Sequence, residues 1–170
     1  MIPRKFLTIE NHQEVDALFD QLHACDDPEE IHDLFQEISD LWLEHTDQSI
    51  RRQMALVMEC VIEEEAQMGL KLLQKVLIKA PQYPEAYHLK GTCHFLHGQY
   101  KDANTCYEQC LALEPRHFGA LSGLISVCFL MGDDRKALKL MQRLRSITPH
   151  NEALHDQIAL TRDIVMDIDQ

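Results

Sequence analysis

Two histidines and a cysteine stand close together in the middle of the chain. His94 and His97 lie three residues apart, directly after Cys93, and imidazole and thiolate groups at such a spacing are potential zinc ligands. A structural zinc site needs a second pair of ligands, and no other cysteines or histidines occur at a matching spacing. We therefore predict no metal site here, with a metal protein or enzyme that uses His94 and His97 as the competing hypothesis.

Other reactive side chains give no stronger sign of catalysis. Cys106 and Cys110 lie four residues apart in a helical pattern, which holds their Cα atoms near the upper limit for a disulfide. The six cysteines show no CxxC spacing, so we predict reduced thiols. Glu63, Glu64 and Glu65 resemble a solvated turn more than an acid and base pair, and phosphate-loop and HExxH motifs do not occur. The sequence predicts no enzyme, no catalytic residue and no cofactor.

The stretch EPRHFGALSGL, Glu114 to Leu124, has the composition of an active-site loop. A repeat of 34 residues gives it another meaning, because prolines recur at this interval, as do glycines and alanines. Within each period apolar residues fall at two successive helical patterns, so the stretch is predicted to be the joint between two repeats. The recurring residues are Pro81, Pro115 and Pro149; Gly98 and Gly132; Ala103 and Ala137.

Helix boundaries are marked by familiar signals. Gly98 and Gly132 are placed to end the first helix of a repeat, and Asp133 or Asp134 to cap the second. Nearer the N-terminus, Asn11 and Asp27 are each followed three residues later by glutamate, which predicts two further helix starts.

This pattern resembles the tetratricopeptide repeat (TPR). The resemblance implies an all-α solenoid of helical hairpins with about three repeats, at 50–83 (degenerate), 84–117 and 118–151. An acidic N-terminal helical pair (10–46) and a C-terminal helix (152–170) are predicted to cap one domain spanning 1–170, with about nine helices. Matching residues are Tyr87, Gly91, Gly98, Tyr100, Ala103, Tyr107 and Pro115, then Leu121, Leu124, Gly132, Ala137 and Pro149, with departures at Lys90, His94 and Ile125.

The chain as a whole is similar to small stand-alone bacterial TPR proteins, which implies protein binding and no defined activity. The net charge is −12, and residues 1–46 hold most of it, which disfavours nucleic acid as a ligand. No apolar run is long enough to span a membrane or to act as a secretion signal, so the expected location is the cytoplasm.

The resemblance also implies a binding face, because the first helix of each TPR lines the concave surface. The side chains at these places are mainly apolar or small, unlike the cationic clamp that binds chaperone C-termini. They predict capture of an amphipathic helix or an extended apolar segment of another protein. Occupation by the chain's own C-terminal helix or by a second copy is the alternative. The predicted groove residues are Met54, Met58, His88, Thr92, Phe95, Leu96, Ser122, Ser126, Phe129 and Leu130.

Two further hypotheses concern partners. Chaperones of type III secretion systems include a class of small, acidic TPR proteins, so a chaperone for a hydrophobic secreted substrate is the alternative function. The second helix of the last repeat carries a run of basic residues, which could pair with the acidic N-terminal helices of another copy in a homodimer. These residues are Arg135, Lys136, Lys139, Arg143 and Arg145.

Overall fold

Helices make up almost all of the described chain. The computed structural model describes the backbone of residues 9–168 and the side chains of residues 12–167. The predicted all-α architecture and helix count are confirmed for these residues. The helices are α1 (Ile9–Ala24), α2 (Pro28–Leu43), α3 (Gln48–Ile62), α4 (Ala66–Lys79), α5 (Pro84–Leu96), α6 (Tyr100–Leu113), α7 (Phe118–Met131), α8 (Asp134–Ile147) and α9 (Glu152–Ile168).

Most boundary signals act as the sequence predicts. Asp27 accepts a hydrogen bond from the backbone N–H of Glu29 at 2.8 Å, and Asp133 accepts one from Lys136 at 3.1 Å, so both side chains cap the helices that follow. Gly98 and Gly132 have φ values of 71° and 73°, the left-handed conformation that ends a helix. The predicted start at Asn11 is wrong, because α1 already runs from Ile9.

Three helical hairpins, α3–α4, α5–α6 and α7–α8, stack side by side around one continuous core. The ring of Tyr107 lies at a close approach between repeats, where a Cβ atom on Gly91 would come within 2.7 Å of the ring. A Cβ atom on Gly123 would come within 2.5 Å of the same ring. These glycines therefore allow one tyrosine to fit between α5 and α7.

The N-terminal pair takes an unexpected place. Rather than capping the stack in front of α3, α1 and α2 form a hairpin along the edge where the turns between repeats lie, with α2 against α5 and α1 against α8. Tyr83 donates a hydrogen bond to the carbonyl oxygen of Leu43 at 2.9 Å. Trp42 stacks on His117 with ring centroids 4.2 Å apart. The apolar stripe of this pair was predictable, but the surface that it covers was not.

The last helix, α9, begins one 34-residue period after α7 and occupies the place of the first helix of another repeat. Its Leu154 and Ile158 are buried in a small cluster with Ile125 of α7 and Met141 of α8. The other face of α9 exposes Leu160, Ile164 and Met166. The predicted helix is therefore present, but it lacks the polar outer surface expected of a cap.

Candidate protein-binding face

An aliphatic side chain is exposed at the same place on four successive first helices. Ile62, Leu96, Leu130 and Ile164 follow one another at intervals of 34 residues, near the ends of α3, α5, α7 and α9. Their exposed fractions are 73%, 42%, 56% and 45%. Because α3 packs on α5, α5 packs on α7, and α9 buries Leu154 and Ile158 against Ile125 of α7, equivalent positions lie on one face of the stack. We call these four residues the aliphatic row.

The predicted groove residues divide into exposed residues, partly buried residues and one buried residue, Met54. Leu96, Ser122, Ser126, Phe129 and Leu130 are exposed; Met58, His88, Thr92 and Phe95 are partly buried.

Met54 is only 1% exposed, which makes it a core residue and removes it from the candidate binding surface. Its long apolar side chain packs inward, whereas Ser122 at the equivalent place of another repeat stays at the surface. The predicted set omits Ile62 and Ile164. Both could have been found by continuing the 34-residue interval from Leu96 and Leu130 in each direction.

The chain's own C-terminal helix does not cover the aliphatic row, because α9 packs beside α8 and supplies Ile164 to the row. The N-terminal hairpin instead covers the start of α7, where Phe35 packs edge-on against Phe118 at 4.3 Å. α1 also lies against α8 within one chain. The acidic pair and the basic helix thus meet without a second copy, and a homodimer built on their charges stays a prediction.

Behind the hairpin lies a polar cluster that sequence reasoning missed. Glu85 of α5 holds both His88 and His117, with Oε1 2.9 Å from His88 Nδ1 and Oε2 2.7 Å from His117 Nε2. Glu85 and His117 are buried. We call these three residues the polar junction, and it connects the second repeat to the turn that opens the third.

The turn itself is fastened to the N-terminal hairpin by Arg116. Its guanidinium group lies 4.1 Å from the ring centroid of Phe19 and 2.5 Å from a carboxylate oxygen of Asp16. The buried carboxylate of Glu114 accepts a hydrogen bond from the backbone N–H of Arg116. The predicted joint between repeats is confirmed, and its polar side chains hold the hairpin in place.

The protonation of His117 follows from its two hydrogen bonds. Its Nδ1 accepts the backbone N–H of Ala120 at 3.1 Å, which caps α7, so in the neutral ring Nε2 carries the proton and donates it to Glu85. Burial lowers the pKa of His117, and the nearby charge of Glu85 offsets this only in part. Burial alone would raise the pKa of Glu85, but contact with His88 and His117 leaves it lowered.

Could the polar junction hold a metal ion? Ligand atoms of its three residues lie within 4.8 Å of one another, and two histidines with a glutamate form a known zinc ligand set. A metal-bound histidine, however, normally donates an N–H from its other ring nitrogen. In His117 that nitrogen accepts from Ala120, so metal at Nε2 would require loss of the helix cap or an imidazolate. The arrangement fits a structural hydrogen-bond network better than a metal site.

The residues first considered for chemistry are kept apart. His94 Nδ1 lies 2.7 Å from Gln99 Oε1, while His97 Nε2 lies 3.5 Å from Gln67 Nε2 on another repeat. Cys106 and Cys110 are both buried free thiols, and burial raises the pKa of each. Raised thiol pKa values disfavour the reactive thiolate. Among the described residues, no helix combines the length and apolar character needed to cross a membrane.

Comparison with known proteins gives one relative that covers most of the chain. A TPR repeat-containing protein of Rhizobium etli is 30% identical over 146 residues, which is 86% of this chain and 72% of that protein. Anaphase-promoting complex subunit 3 of Schizosaccharomyces pombe is 27% identical over 93 residues, 55% of this chain but only 14% of that protein.

Solved structures agree on the fold. The TPR domain of Sgt2 from Aspergillus fumigatus matches with a TM-score of 0.64 at 16% identity, over 72% of this chain and 83% of that one. The crystal structure of MamA matches with a TM-score of 0.61 at 17% identity, over 92% and 83%. Residues 84–117, the best-formed repeat, match the sequence model of the tetratricopeptide repeat. With the Rhizobium relative, these findings establish that the chain belongs to the tetratricopeptide repeat family.

Proposed function

We propose that the protein is a non-enzymatic adaptor that holds an apolar segment of a partner protein against the aliphatic row. The TPR fold serves in general as a scaffold for protein–protein interaction, and its members are typically adaptors without enzymatic activity. The observation that carries the proposal is the recurrence of an exposed aliphatic residue at one place on four successive helices. Scattered exposed apolar residues are ordinary, but a periodic row is a continuous surface.

The size of the row sets the expected affinity. Full burial of one aliphatic side chain contributes about 1.5–3 kcal/mol. The four side chains are about half exposed, so covering them contributes roughly 3–6 kcal/mol in total. Such a free energy corresponds to weak, reversible capture with a Kd between several millimolar and tens of micromolar. Tighter binding requires further contacts around the row, for example with Phe129.

The test is capture of partner proteins by the wild type and by Leu96→Asp/Leu130→Asp. Both substituted side chains are exposed, so helicity and melting should change little. The matched control is Ile78→Asp, since Ile78 is 76% exposed but lies on the second helix of its repeat. A partner held by the wild type and the control but not by the double variant supports the proposal. Equal capture by all three proteins would contradict it.

The secretion chaperone remains the second candidate, because an exposed aliphatic row also suits a hydrophobic substrate awaiting export. The same capture experiment separates the two functions. A chaperone should retain a substrate that is insoluble when expressed alone and that stays soluble when the two proteins are co-expressed. An adaptor's partner should be soluble without it.

A further inference from the structure

We infer that the segment held on the aliphatic row is an amphipathic α-helix with basic residues along one side of its apolar stripe. This inference rests on the proposed function and adds to it the secondary structure and charge of the partner. It is carried by two features of the surface around the row. One is the hydrogen bonding of the neighbouring side chains, and the other is the sign of the charges that border them.

The hydroxyl groups beside the row already donate their hydrogens. One helical turn before Leu96 and Leu130 stand Thr92 and Ser126. Thr92 donates a hydrogen bond to the carbonyl oxygen of His88, and Ser126 donates one to that of Ser122, both within their own helices. The corresponding places on α3 and α9 hold Met58 and Leu160. The leucine side chain has no hydrogen-bonding group, and the methionine sulfur is only a weak acceptor.

An extended peptide would bring unsatisfied backbone N–H and C=O groups onto this surface. Extended segments are usually held by side-chain or strand hydrogen bonds to their main chain. An aliphatic row with two nearby hydroxyls, both of which already donate their hydrogens within their own helices, offers few such bonds. A helix satisfies its backbone internally and needs to present only an apolar stripe. The chemistry of the row therefore favours a helical segment.

One border of the row, next to the ends of the first helices, carries acidic side chains. The three residues that follow each row residue, 63–65, 97–99, 131–133 and 165–167, contain no lysine or arginine. A bound helix thus has carboxylates along this edge and gains from basic side chains facing them. The carboxylates that follow the row residues are those of Glu63, Glu64, Glu65, Asp133 and Asp167.

The length of the row predicts the length of the segment. Packed helices lie roughly 8–10 Å apart, so three intervals between four first helices span roughly 24–30 Å. At a rise of 1.5 Å per residue, a helix of about 16–20 residues covers this distance. The probe should be of this length.

The experiment uses labelled peptides of about 18 residues with the full-length protein. One peptide has a leucine stripe edged by lysines along one side; a second replaces every lysine with glutamate; a third keeps the lysines but scrambles the leucines so that no stripe forms. Fluorescence anisotropy measures their binding at about 50 mM and about 500 mM salt, because screening separates charge from apolar contact. We expect the lysine peptide to bind at least about 10-fold more tightly than either other peptide at low salt.

Two protein variants locate the binding. Glu63→Gln/Glu65→Gln removes two charges beside the row, and Asp102→Asn/Glu108→Gln removes two from a second helix as the control. The first should weaken the lysine peptide several-fold and reduce its salt dependence, whereas the second should not. Leu96→Asp/Leu130→Asp should abolish binding of the lysine peptide.

Several outcomes would overturn the inference. They are equal binding of the lysine and glutamate peptides, no binding of the lysine peptide up to about 1 mM, and binding that the row variant leaves unchanged. None of these results would decide whether natural partners need the row, which the capture experiment measures. Loss of natural capture by the row variant, together with failure of the lysine peptide, would therefore keep the proposed function and remove only the partner chemistry.

Discussion

Replacement of His117 should lower the free energy of unfolding and should also change how that free energy depends on pH. His117→Ala removes the cap of α7, worth about 0.5–2 kcal/mol. It also removes a buried bond to the Glu85 carboxylate, worth about 1.5–3 kcal/mol, and a stack on Trp42, worth about 0.5–1.5 kcal/mol. The free energy of unfolding should fall by about 3–5 kcal/mol, the middle of this summed range. His117→Asn keeps a capping group and should lose less, about 1–3 kcal/mol.

The sign of the pH effect follows from the lowered pKa of His117. In the unfolded chain the ring takes up a proton below its ordinary pKa of 6.5, but burial keeps it neutral in the folded state. The unfolded state then binds more protons, so stability is full above about pH 6.5 and falls as the pH decreases, by at most about 1.4 kcal/mol per unit. Protonated Nδ1 would also point a second N–H at the N–H of Ala120.

Urea unfolding between pH 8 and pH 5 provides the measurement, followed by fluorescence of Trp42, the chain's one tryptophan. The wild type should lose stability with falling pH more steeply than His117→Asn. The lowered pKa of His45 adds a slope of the same sign to both proteins, and it cancels in the difference. Parallel slopes for wild type and variant would refute the assigned protonation of His117.

Further predictions concern the backbone and the thiols. Glu64 holds the left-handed place of Gly98 in the first repeat with φ 57°, so Glu64→Gly should raise the free energy of unfolding by about 0.5–1 kcal/mol, whereas the control Glu63→Gly should lower it similarly. Gly123→Ala should lower it by about 1–3 kcal/mol, because the new methyl group overlaps Tyr107; an unchanged urea midpoint would contradict this packing. A thiol reagent should modify Cys25 first in the native protein and all six cysteines only after denaturation, since the other five are buried; rapid native reaction of several thiols would contradict their burial.

The parts of the fold that depend on local signals were predictable. Gly98 and Gly132 recur at the same 34-residue interval as the prolines. Both have a positive φ at a helix end, a conformation that glycine adopts more readily than any other residue. Asp133 caps the helix beside it, a contact within three residues. Such features can be predicted without knowledge of distant residues. The 34-residue period adds that they occupy equivalent positions in successive repeats.

Features that depend on distant pairs were not predictable. Glu85 and His117 are 32 residues apart, and Arg116 and Asp16 are 100 apart. Nothing in a polar residue's own neighbourhood indicates that a partner will bury it. The burial of Met54 has the same origin, because the periodic pattern gives its place in the repeat but not which neighbouring side chains cover that place in a degenerate copy.

The position of the N-terminal hairpin has a mechanical consequence. An α-solenoid bends and stretches like a spring, because each repeat contacts mainly its neighbours and small rotations add along the stack. Here one hairpin reaches the turns before α5, α7 and α9: Leu43 contacts Tyr83, Trp42 contacts His117, and Pro28 lines a cavity together with Pro149. The hairpin therefore acts as a strut along one edge, which resists bending of the stack and holds the opposite face at nearly constant curvature.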